Sequence, residues 1–438
     1  MYIEEITTNL SFERKLHFPL TSPYVIVVGD NGTGKTAVMN AVRVACTGAA
    51  QDLGGKDPRK EVRAGVRDLV ASARTSAEAS VRFSNGGEYH WTHAFAKRPT
   101  TQLAGHAPEV VLPFDDALDA FRGNNDTRLK YFCQRFMRES QLLDFDWSLA
   151  TEVYDLISAS LPASDTLCVV DWLLKFWGRQ AAAERVATKR IGTLGEIERF
   201  LDENFDNSTD AHVAHALDTL LVHQLSRDRT KCPCCSAEST AEVLRARLDK
   251  VTAIIKDKVL ASPMPVGTRA LLERERDAVM QSRAQARKHI AAVRALLQYE
   301  LRQHAAAIEA AVNAKLQSCT PPRKREKVEL IFGFNIDDKG DITMGRRTGE
   351  HIRVFPSAAE TVLLLTALSL VVAERQEKLP ILLIPDRAYD KDMFHHLCVL
   401  LGQSEVIAFV PSVVYALPPS DKWGRIDLNE HTGRGIPK

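Results

Sequence analysis

The stretch Tyr24-Val-Ile-Val-Val-Gly-Asp-Asn-Gly-Thr-Gly-Lys-Thr36 decides the fold of this chain. Its first five residues, Tyr24–Val28, are aromatic and β-branched, which predicts a buried strand. Residues 29–36 then follow the spacing G-x-x-x-x-G-K-T, and the residues after Thr36 favour a helix. A strand, a glycine-rich loop and a helix start in this order are the context in which a phosphate-binding loop forms.

The residue types of this loop suit a triphosphate and magnesium. Glycines adopt backbone angles closed to other residues, so successive N–H groups can point inward around phosphates. The positive end of the following helix adds attraction for an anion. We expect Lys35 to reach the β- and γ-phosphates of ATP and the Thr36 hydroxyl to bind Mg²⁺. The predicted nucleotide-binding residues of the loop are Gly29, Asp30, Asn31, Gly32, Thr33, Gly34, Lys35 and Thr36. The alternative is a glycine turn that binds nothing.

Length and composition bound the class of protein. The 438 residues are enough for two or three domains. Lys and Arg number 57 against 56 Asp and Glu, so a DNA surface would have to be a local patch. No apolar run approaches the roughly 18 residues of a membrane span and no signal peptide opens the chain, so we expect a cytoplasmic protein without membrane contact. The eight cysteines then suggest thiols or metal ligands and not disulfides.

Strand patterns occupy both ends of the chain, and helical patterns occupy its middle. Hairpins are predicted for residues 1–18, for residues 79–92 around Asn85-Gly86-Gly87, and for residues 328–344. Because α/β character resumes after the helical part, we expect the two ends to share one sheet. The predicted domains are an N-terminal lobe of residues 1–114, a helical insertion of residues 115–322 and a C-terminal lobe of residues 323–438.

The insertion is predicted to be a helical hairpin. Apolar residues recur every three to four positions on both sides of residues 232–235, and a long helix is expected from about residue 269 to residue 318. Gly192 and Gly195 predict an interruption in the first arm. An antiparallel coiled coil and a compact helical bundle both fit this pattern.

A cysteine motif, Cys232-Pro233-Cys234-Cys235, lies near the middle of the insertion. Its C-x-x-C spacing lets the Cys232 and Cys235 thiolates face one Zn²⁺ and supplies half of a tetrahedral site. A second identical chain would complete that site. The alternatives are zinc held within one chain, with Cys234 or His223 as a further ligand, and free thiols or a redox pair. The remaining cysteines stand alone in apolar surroundings and are predicted to be core residues: Cys46, Cys133, Cys168, Cys319 and Cys398.

These features resemble the SMC, RecF and SbcC group of ABC-type ATPases, which handle DNA ends and chromosome structure. Residues 29–36 are similar to the G-x-N-G-x-G-K-[ST] loop of that group. Leu112-Pro113, Asp126-x-Arg128 and Phe132 resemble the segment by which these proteins enter their helical lobe. Residues 356–360, Pro-Ser-Ala-Ala-Glu, are similar to the L-S-G-G-E signature with both glycines replaced by alanine. The C-P-x-C tip resembles the zinc hook of SbcC-type proteins.

The resemblance implies a P-loop ABC-type ATPase head split by the helical hairpin. In that group the signature of one subunit closes over ATP held by the other, which would place Ser357 on the γ-phosphate in a head-to-head homodimer. DNA and a nuclease are the implied partners. From the residues alone, Ser357 and Glu360 also fit an ordinary capping box at a helix start.

Three parts that serve hydrolysis in that group are altered here. Phe114 and Asp115, not glutamine, follow Pro113, and Pro411-Ser412 replaces the switch histidine. Asp386 is the candidate magnesium partner and, with Lys35, the candidate catalytic residue, but Arg387 and not a carboxylate follows it directly; alternatively, Asp386 stands in the place of the catalytic glutamate. We therefore expect ATP binding with slow hydrolysis in DNA repair, recombination or DNA-end processing. The alternatives are a nucleotide-gated tether with little turnover, and a small-molecule P-loop kinase or GTPase, which the long gap between the loop and Asp386 disfavours.

Overall fold

The computed structural model describes residues 1–10, 12, 14–48, 76–94, 100–104, 106–160, 168–204, 268–318, 330–354, 357–385, 391–412 and 422–429. Several residues that the sequence singles out lie outside these ranges: Cys232, Cys234, Cys235, His223, Cys319, Pro356 and Asp386.

Strands and helices come in runs along the described chain, with a run of helices between β7 and β8. The strands are β1 (Ile3–Thr8), β2 (Leu16–Pro19), β3 (Tyr24–Val28), β4 (Ser76–Phe83), β5 (Glu88–Ala94), β6 (Thr100–Ala104), β7 (Val110–Val111), β8 (Phe332–Ile336), β9 (Ile342–Thr348), β10 (His351–Arg353), β11 (Leu379–Leu383), β12 (Ile407–Ser412) and β13 (Trp423–Asp427). The α-helices are α1 (Lys35–Thr47), α2 (Pro113–Arg122), α3 (Asn125–Phe136), α4 (Thr151–Ser160), α5 (Val169–Asn204), α6 (Thr268–Ser318), α7 (Ala358–Ala373) and α8 (Lys391–Gly402). Among these described helices, none has the length and apolar character needed to cross a membrane.

The chain divides into two compact units. The first comprises residues 1–139 and 297–438, and the second comprises residues 140–296. Helices α2 and α3 belong to the first unit, whereas the sequence assigned residues from 115 onward to the helical insertion. The reason is packing, because α2 lies against α7 and β11, and α3 lies against β9.

A five-stranded parallel sheet forms the centre of the first unit. Its strand order is β13-β3-β12-β11-β7, and each neighbouring pair is parallel. Strands β3 and β7 come from the front of the chain, and β11, β12 and β13 come from its end. The expectation that both ends share one sheet is confirmed, and so is the α/β fold class with a helical insertion.

Two antiparallel sheets complete the first unit. Their strand orders are β2-β1-β4-β5-β6 and β10-β9-β8. All three predicted hairpins are present, with Gly86 and Gly340 in their turns at φ of 84° and 79°. Helix α1 packs against β1, β4 and β5 on one side and against β12 on the other. It therefore lies between the larger antiparallel sheet and the parallel sheet.

In the second unit, α5 and α6 pair in opposite directions. Arg287 Nε donates to Glu184 Oε1 over 2.6 Å, and Arg190 Nη2 donates to Glu275 Oε2 over 3.0 Å. Leu194 of α5 and Leu272, Val279 and Ala286 of α6 are buried apolar residues of the same pair of helices. These contacts show that the two described helices of the insertion pair antiparallel, which is consistent with the predicted hairpin.

The predicted interruption at Gly192 and Gly195 is wrong. Helix α5 continues through both residues to Asn204. A single glycine in a helix interior costs only about 1 kcal/mol relative to alanine, which neighbouring helix formers and packing against α6 offset.

Candidate functional site

Residues 29–36 join β3 to α1 at the carboxyl edge of the parallel sheet. In open α/β sheets, this edge is where ligands bind. Gly32 and Gly34 have φ of 83° and 101°, the left-handed region that favours glycine. Gly34 is the N-cap residue of α1, whose first turn contains no acidic residue. The loop therefore presents a helix start that suits an anion.

Close packing also requires glycine at Gly34. A Cβ there would lie 2.7 Å from the ring of Phe12, which is buried between β1 and β2. A Cβ on Gly29 would lie 3.2 Å from Leu428 Cβ and closer still to the Thr33 hydroxyl. A Cβ on Gly32 would meet nothing within 4 Å. Backbone angle alone thus selects glycine at Gly32, while angle and space together select it at Gly34.

The Lys35 side chain is folded into the loop and is only 3% exposed. Its Nζ donates hydrogen bonds to the carbonyl oxygens of Gly29 at 2.8 Å and Asp30 at 3.0 Å. The Thr33 hydroxyl donates to the same Asp30 carbonyl over 2.9 Å. Half-buried Thr36 follows in the first turn of α1. The ammonium group is therefore held at the centre of the loop, and a hydroxyl lies next to it in sequence.

Strands from the end of the chain support this loop. The Gly29 amide donates to the Ser412 carbonyl at the end of β12 over 3.3 Å. The Asp30 amide donates to Asn429 Oδ1 over 3.4 Å, and the Asn429 amide donates to Asp427 Oδ1 over 3.1 Å. Sequence reasoning did not single out Asp427 or Asn429, since neither belongs to a recognisable motif.

Strand β11 leads to the candidate magnesium partner Asp386. It lies two strands from β3, with β12 between them, which places β11 and β3 roughly 10 Å apart. Buried Pro385 is the last described residue before Asp386. The parallel direction of the strands sends the end of β11 to the same sheet edge as the loop, while Asp386 itself is outside the described residues.

Ser357 is the N-cap residue of α7 and forms a capping box with Glu360. Ser357 Oγ accepts from the Glu360 amide over 3.3 Å, and Glu360 Oε2 accepts from the Ser357 amide over 2.9 Å. Arg346 forms an ion pair with Glu360. Burial by itself raises the pKa of Glu360, but the hydrogen bonds from Ser357 and the charge of Arg346 outweigh burial and lower the pKa overall. The capping box that the sequence allowed is confirmed.

A buried ion pair beside the loop helix was missed by sequence reasoning. Arg43 of α1 donates from Nε to Asp115 Oδ2 over 2.5 Å and from Nη2 to Asp115 Oδ1 over 3.0 Å. Arg43 Nη1 also donates to Asn40 Oδ1 over 2.5 Å. The one sequence signal for this ion pair was the unusual Phe114-Asp115 after Pro113. From the resemblance, a glutamine is expected after that proline.

Potential metal-binding side chains do not form clusters in the part of the chain that the structure describes. There, no cluster of three or more His, Cys, Asp or Glu side chains could hold a metal ion. The two cysteines of the predicted zinc site fall outside that part. Within the described loop, the Thr36 hydroxyl is an oxygen donor of the kind that Mg²⁺ accepts alongside nucleotide phosphates.

Comparison with protein families gives one match, in the part of the chain that contains the glycine-rich loop. Residues 9–138 match the model of an AAA domain family, a segment that contains β3, the loop and α1. No curated protein matches the sequence.

Several solved structures align with most of this chain at low identity and low TM-score. An Smc head domain with a coiled coil and joint from Pyrococcus yayanosii is 14% identical, with 94% of this chain and 92% of that chain covered and a TM-score of 0.42. An Smc head domain bound to the C-terminal domain of ScpA from Pyrococcus furiosus is 13% identical, with coverage of 94% and 90% and a TM-score of 0.39. The recombination mediator protein RecF with ATP is 12% identical, with coverage of 98% and 97% and a TM-score of 0.39. These similarities are too low to indicate a ligand or a partner.

Proposed function

We propose that this chain is an ATP-binding protein of the SMC, RecF and SbcC type that acts in DNA repair, recombination or DNA-end processing. ATP would drive dimerisation of two heads, with slow hydrolysis, on DNA and with a nuclease as a further partner. One observation supports this most strongly: a glycine loop with a buried lysine lies at the carboxyl edge of a parallel sheet and is held there by strands from both ends of the chain.

The residues fit the proposed ligand. Backbone amides of the loop and the start of α1 would hold the phosphates of ATP. Lys35 would exchange its hydrogen bonds to the Gly29 and Asp30 carbonyls for the β- and γ-phosphate oxygens. Thr36 and Asp386 would hold Mg²⁺, which neutralises phosphate charge. Ser357 of a second copy would contact the γ-phosphate.

The first experiment tests nucleotide binding and dimerisation together. Lys35→Ala should abolish ATP binding in calorimetry and ATP-dependent dimerisation in light scattering, because the phosphates lose their buried cation. Lys15→Ala is the matched control, since exposed Lys15 pairs with Glu78 at the surface and should bind ATP normally. Equal ATP binding by Lys35→Ala and the native chain would refute the proposal.

A nucleotide-gated tether is the second candidate function. Strand β12 ends in Pro411-Ser412, and Arg387 directly follows Asp386, so groups that usually assist hydrolysis are absent from these positions. ATP hydrolysis stimulated by DNA ends would favour the repair ATPase. Dimerisation by ATP without such stimulation would favour the tether, and phosphorylation of a metabolite by a monomer would exclude both.

The proposal includes a zinc site at the tip of the insertion. Cys232 and Cys235 would bind Zn²⁺ together with the same pair from a second chain. Elemental analysis should then give about half an equivalent of zinc per chain, whereas one equivalent would indicate a site within each chain. Cys232→Ser should lose the metal, and full zinc retention by this variant would contradict the assignment.

A further inference from the structure

The peptide unit between Gly29 and Asp30 forms hydrogen bonds on both of its sides. Its carbonyl group, which belongs to Gly29, accepts from Lys35 Nζ over 2.8 Å. Its amide group, which belongs to Asp30, donates to Asn429 Oδ1 over 3.4 Å. This peptide is planar and trans, so its C=O and N–H point in opposite directions. The bond to Lys35 and the bond to Asn429 therefore depend on one and the same orientation of the peptide.

The Asn429 side chain is held in place at the end of β13. Asn429 is 6% exposed, and its backbone amide donates to Asp427 Oδ1 over 3.1 Å. Asp427 is the last residue of β13 and lies opposite Val28, the last residue of β3. A buried amide oxygen at this position is a fixed acceptor, since buried polar groups keep their hydrogen bonds. The acceptor for the Asp30 amide is thus set by the parallel sheet and not by the loop itself.

The flexibility of Gly29 gives this acceptor a task. Glycine lacks the Cβ that restricts its neighbours, so the peptide that follows Gly29 can rotate unless its amide is held. Rotation would turn the carbonyl away from Lys35 and point the N–H at the ammonium group instead. Of the two carbonyls that accept from Lys35 Nζ, only that of Asp30 would then remain. The hydrogen bond from the Asp30 amide to Asn429 therefore favours the orientation that holds Lys35 at the centre of the loop.

We infer that Asn429 is a positioning residue that acts on Lys35 through the Gly29–Asp30 peptide and prepares the loop for phosphates before a nucleotide binds. This inference rests on the proposed function. A group that is already in place at binding raises affinity, because less conformational freedom is lost when the ligand arrives. Asn429 acts only on the phosphate end of the ligand, so it should affect ATP and inorganic triphosphate equally.

The first test follows Lys35 in the absence of nucleotide. Reductive methylation with mass spectrometry measures how fast the Lys35 amine reacts, and thiol labelling of buried Cys133 reports unfolding in the same samples. Asn429→Ala should make Lys35 react about fivefold faster, the change expected from one hydrogen bond, with Cys133 labelled at the native rate. Asn429→Asp keeps an acceptor oxygen and should keep Lys35 protected.

A matched control changes the same strand end. Arg425 forms an ion pair with Asp427 and is largely exposed, so Arg425→Ala disturbs β13 but leaves the Asn429 side chain in place. This variant should keep the native reactivity of Lys35. The second test is calorimetry, in which Asn429→Ala should bind ATP and inorganic triphosphate about fivefold more weakly than the native chain and than Arg425→Ala.

The two tests fail separately. If the native chain binds neither ATP nor triphosphate, the proposed function fails, whatever the reactivity of Lys35. If the native chain binds ATP but Lys35 reacts at the native rate in Asn429→Ala, or if Lys35 and Cys133 become reactive together, the inference alone fails. Should Asn429→Ala not fold, Asn429→Leu keeps the side-chain volume and lacks the acceptor. Asn429→Leu should show the same faster reaction of Lys35, and a native rate in it would overturn the inference.

Discussion

The Gly29 amide donates a hydrogen bond to the Ser412 carbonyl over 3.3 Å, and this bond joins the front of the chain to its end. It continues the pairing of β3 with β12, in which Val28 lies opposite Ser412. The first residue of the loop therefore behaves as the last rung of a parallel ladder. Consequently, the shape of the loop depends on strands that follow the helical insertion in the sequence.

Gly34→Ala should damage the loop more than Gly32→Ala does. Both substitutions place alanine in a left-handed conformation, at a cost of about 1–2 kcal/mol. The Gly34 variant also drives its Cβ against the Phe12 ring, which should cost about 1–3 kcal/mol more. Urea unfolding measures the difference in the free energy of unfolding between the two variants. ATP affinity should be lower in Gly34→Ala than in Gly32→Ala.

Phe12→Ala tests whether the Phe12 ring causes the extra loss of stability in Gly34→Ala. In the Gly34→Ala background it should remove most of the clash, so that the double variant loses less than the two single costs combined. Strict additivity would show that Phe12 is not the obstacle.

Ser357→Ala should lower the free energy of unfolding by about 1 kcal/mol, because the Glu360 amide loses its acceptor. Ser357→Asp should restore the cap and the stability. If Ser357 also contacts a γ-phosphate across a dimer, both variants should weaken ATP-dependent dimerisation, since Asp would repel the phosphate. Native dimerisation by Ser357→Asp would limit Ser357 to a capping role.

The lowered pKa of Glu360 predicts an acid-dependent loss of stability. Its folded form binds fewer protons than the unfolded chain, so its contribution is complete above the unfolded pKa of about 4.3 and is lost as pH falls through the folded pKa. Glu360→Gln keeps a capping-box side chain that does not titrate. The stability difference between the native chain and this variant should therefore be constant above about pH 5 and shrink between about pH 5 and about pH 3.5. A difference that stays constant over this range would mean that Glu360 is not the responsible group.

Gly192→Ala and Gly195→Ala should each stabilise α5, by about 0.5–1 kcal/mol. The helix is continuous through both sites, and a Cβ at either position would meet nothing within 4 Å. Gly178→Ala, in the same helix and with equally open space, should act alike. Thermal unfolding followed by circular dichroism measures the change, and destabilisation at Gly192 or Gly195 alone would reveal a close neighbour there.

The cysteines show how well burial can be predicted from the neighbouring residues in the sequence. Cys133 and Cys398 are buried as expected, and burial raises the pKa of the Cys398 thiol to about 12. Cys46 and Cys168 are only partly buried, although burial also raises the pKa of Cys46 to about 12. Isolated cysteines in apolar sequence were thus sufficient to predict two core positions, because hydrophobic neighbours in sequence often share a buried face.

Sequence by itself determined the features that depend on residues a few positions apart. These are the glycine spacing of the loop, the three hairpins and the Ser357–Glu360 capping box, since turn angles and caps are set by local chemistry. Tertiary structure alone decided which distant groups hold the loop. Asn429 beside Asp30 and Asp115 beside Arg43 are far apart in the chain, and their meeting depends on strand order and helix packing, which no local pattern records.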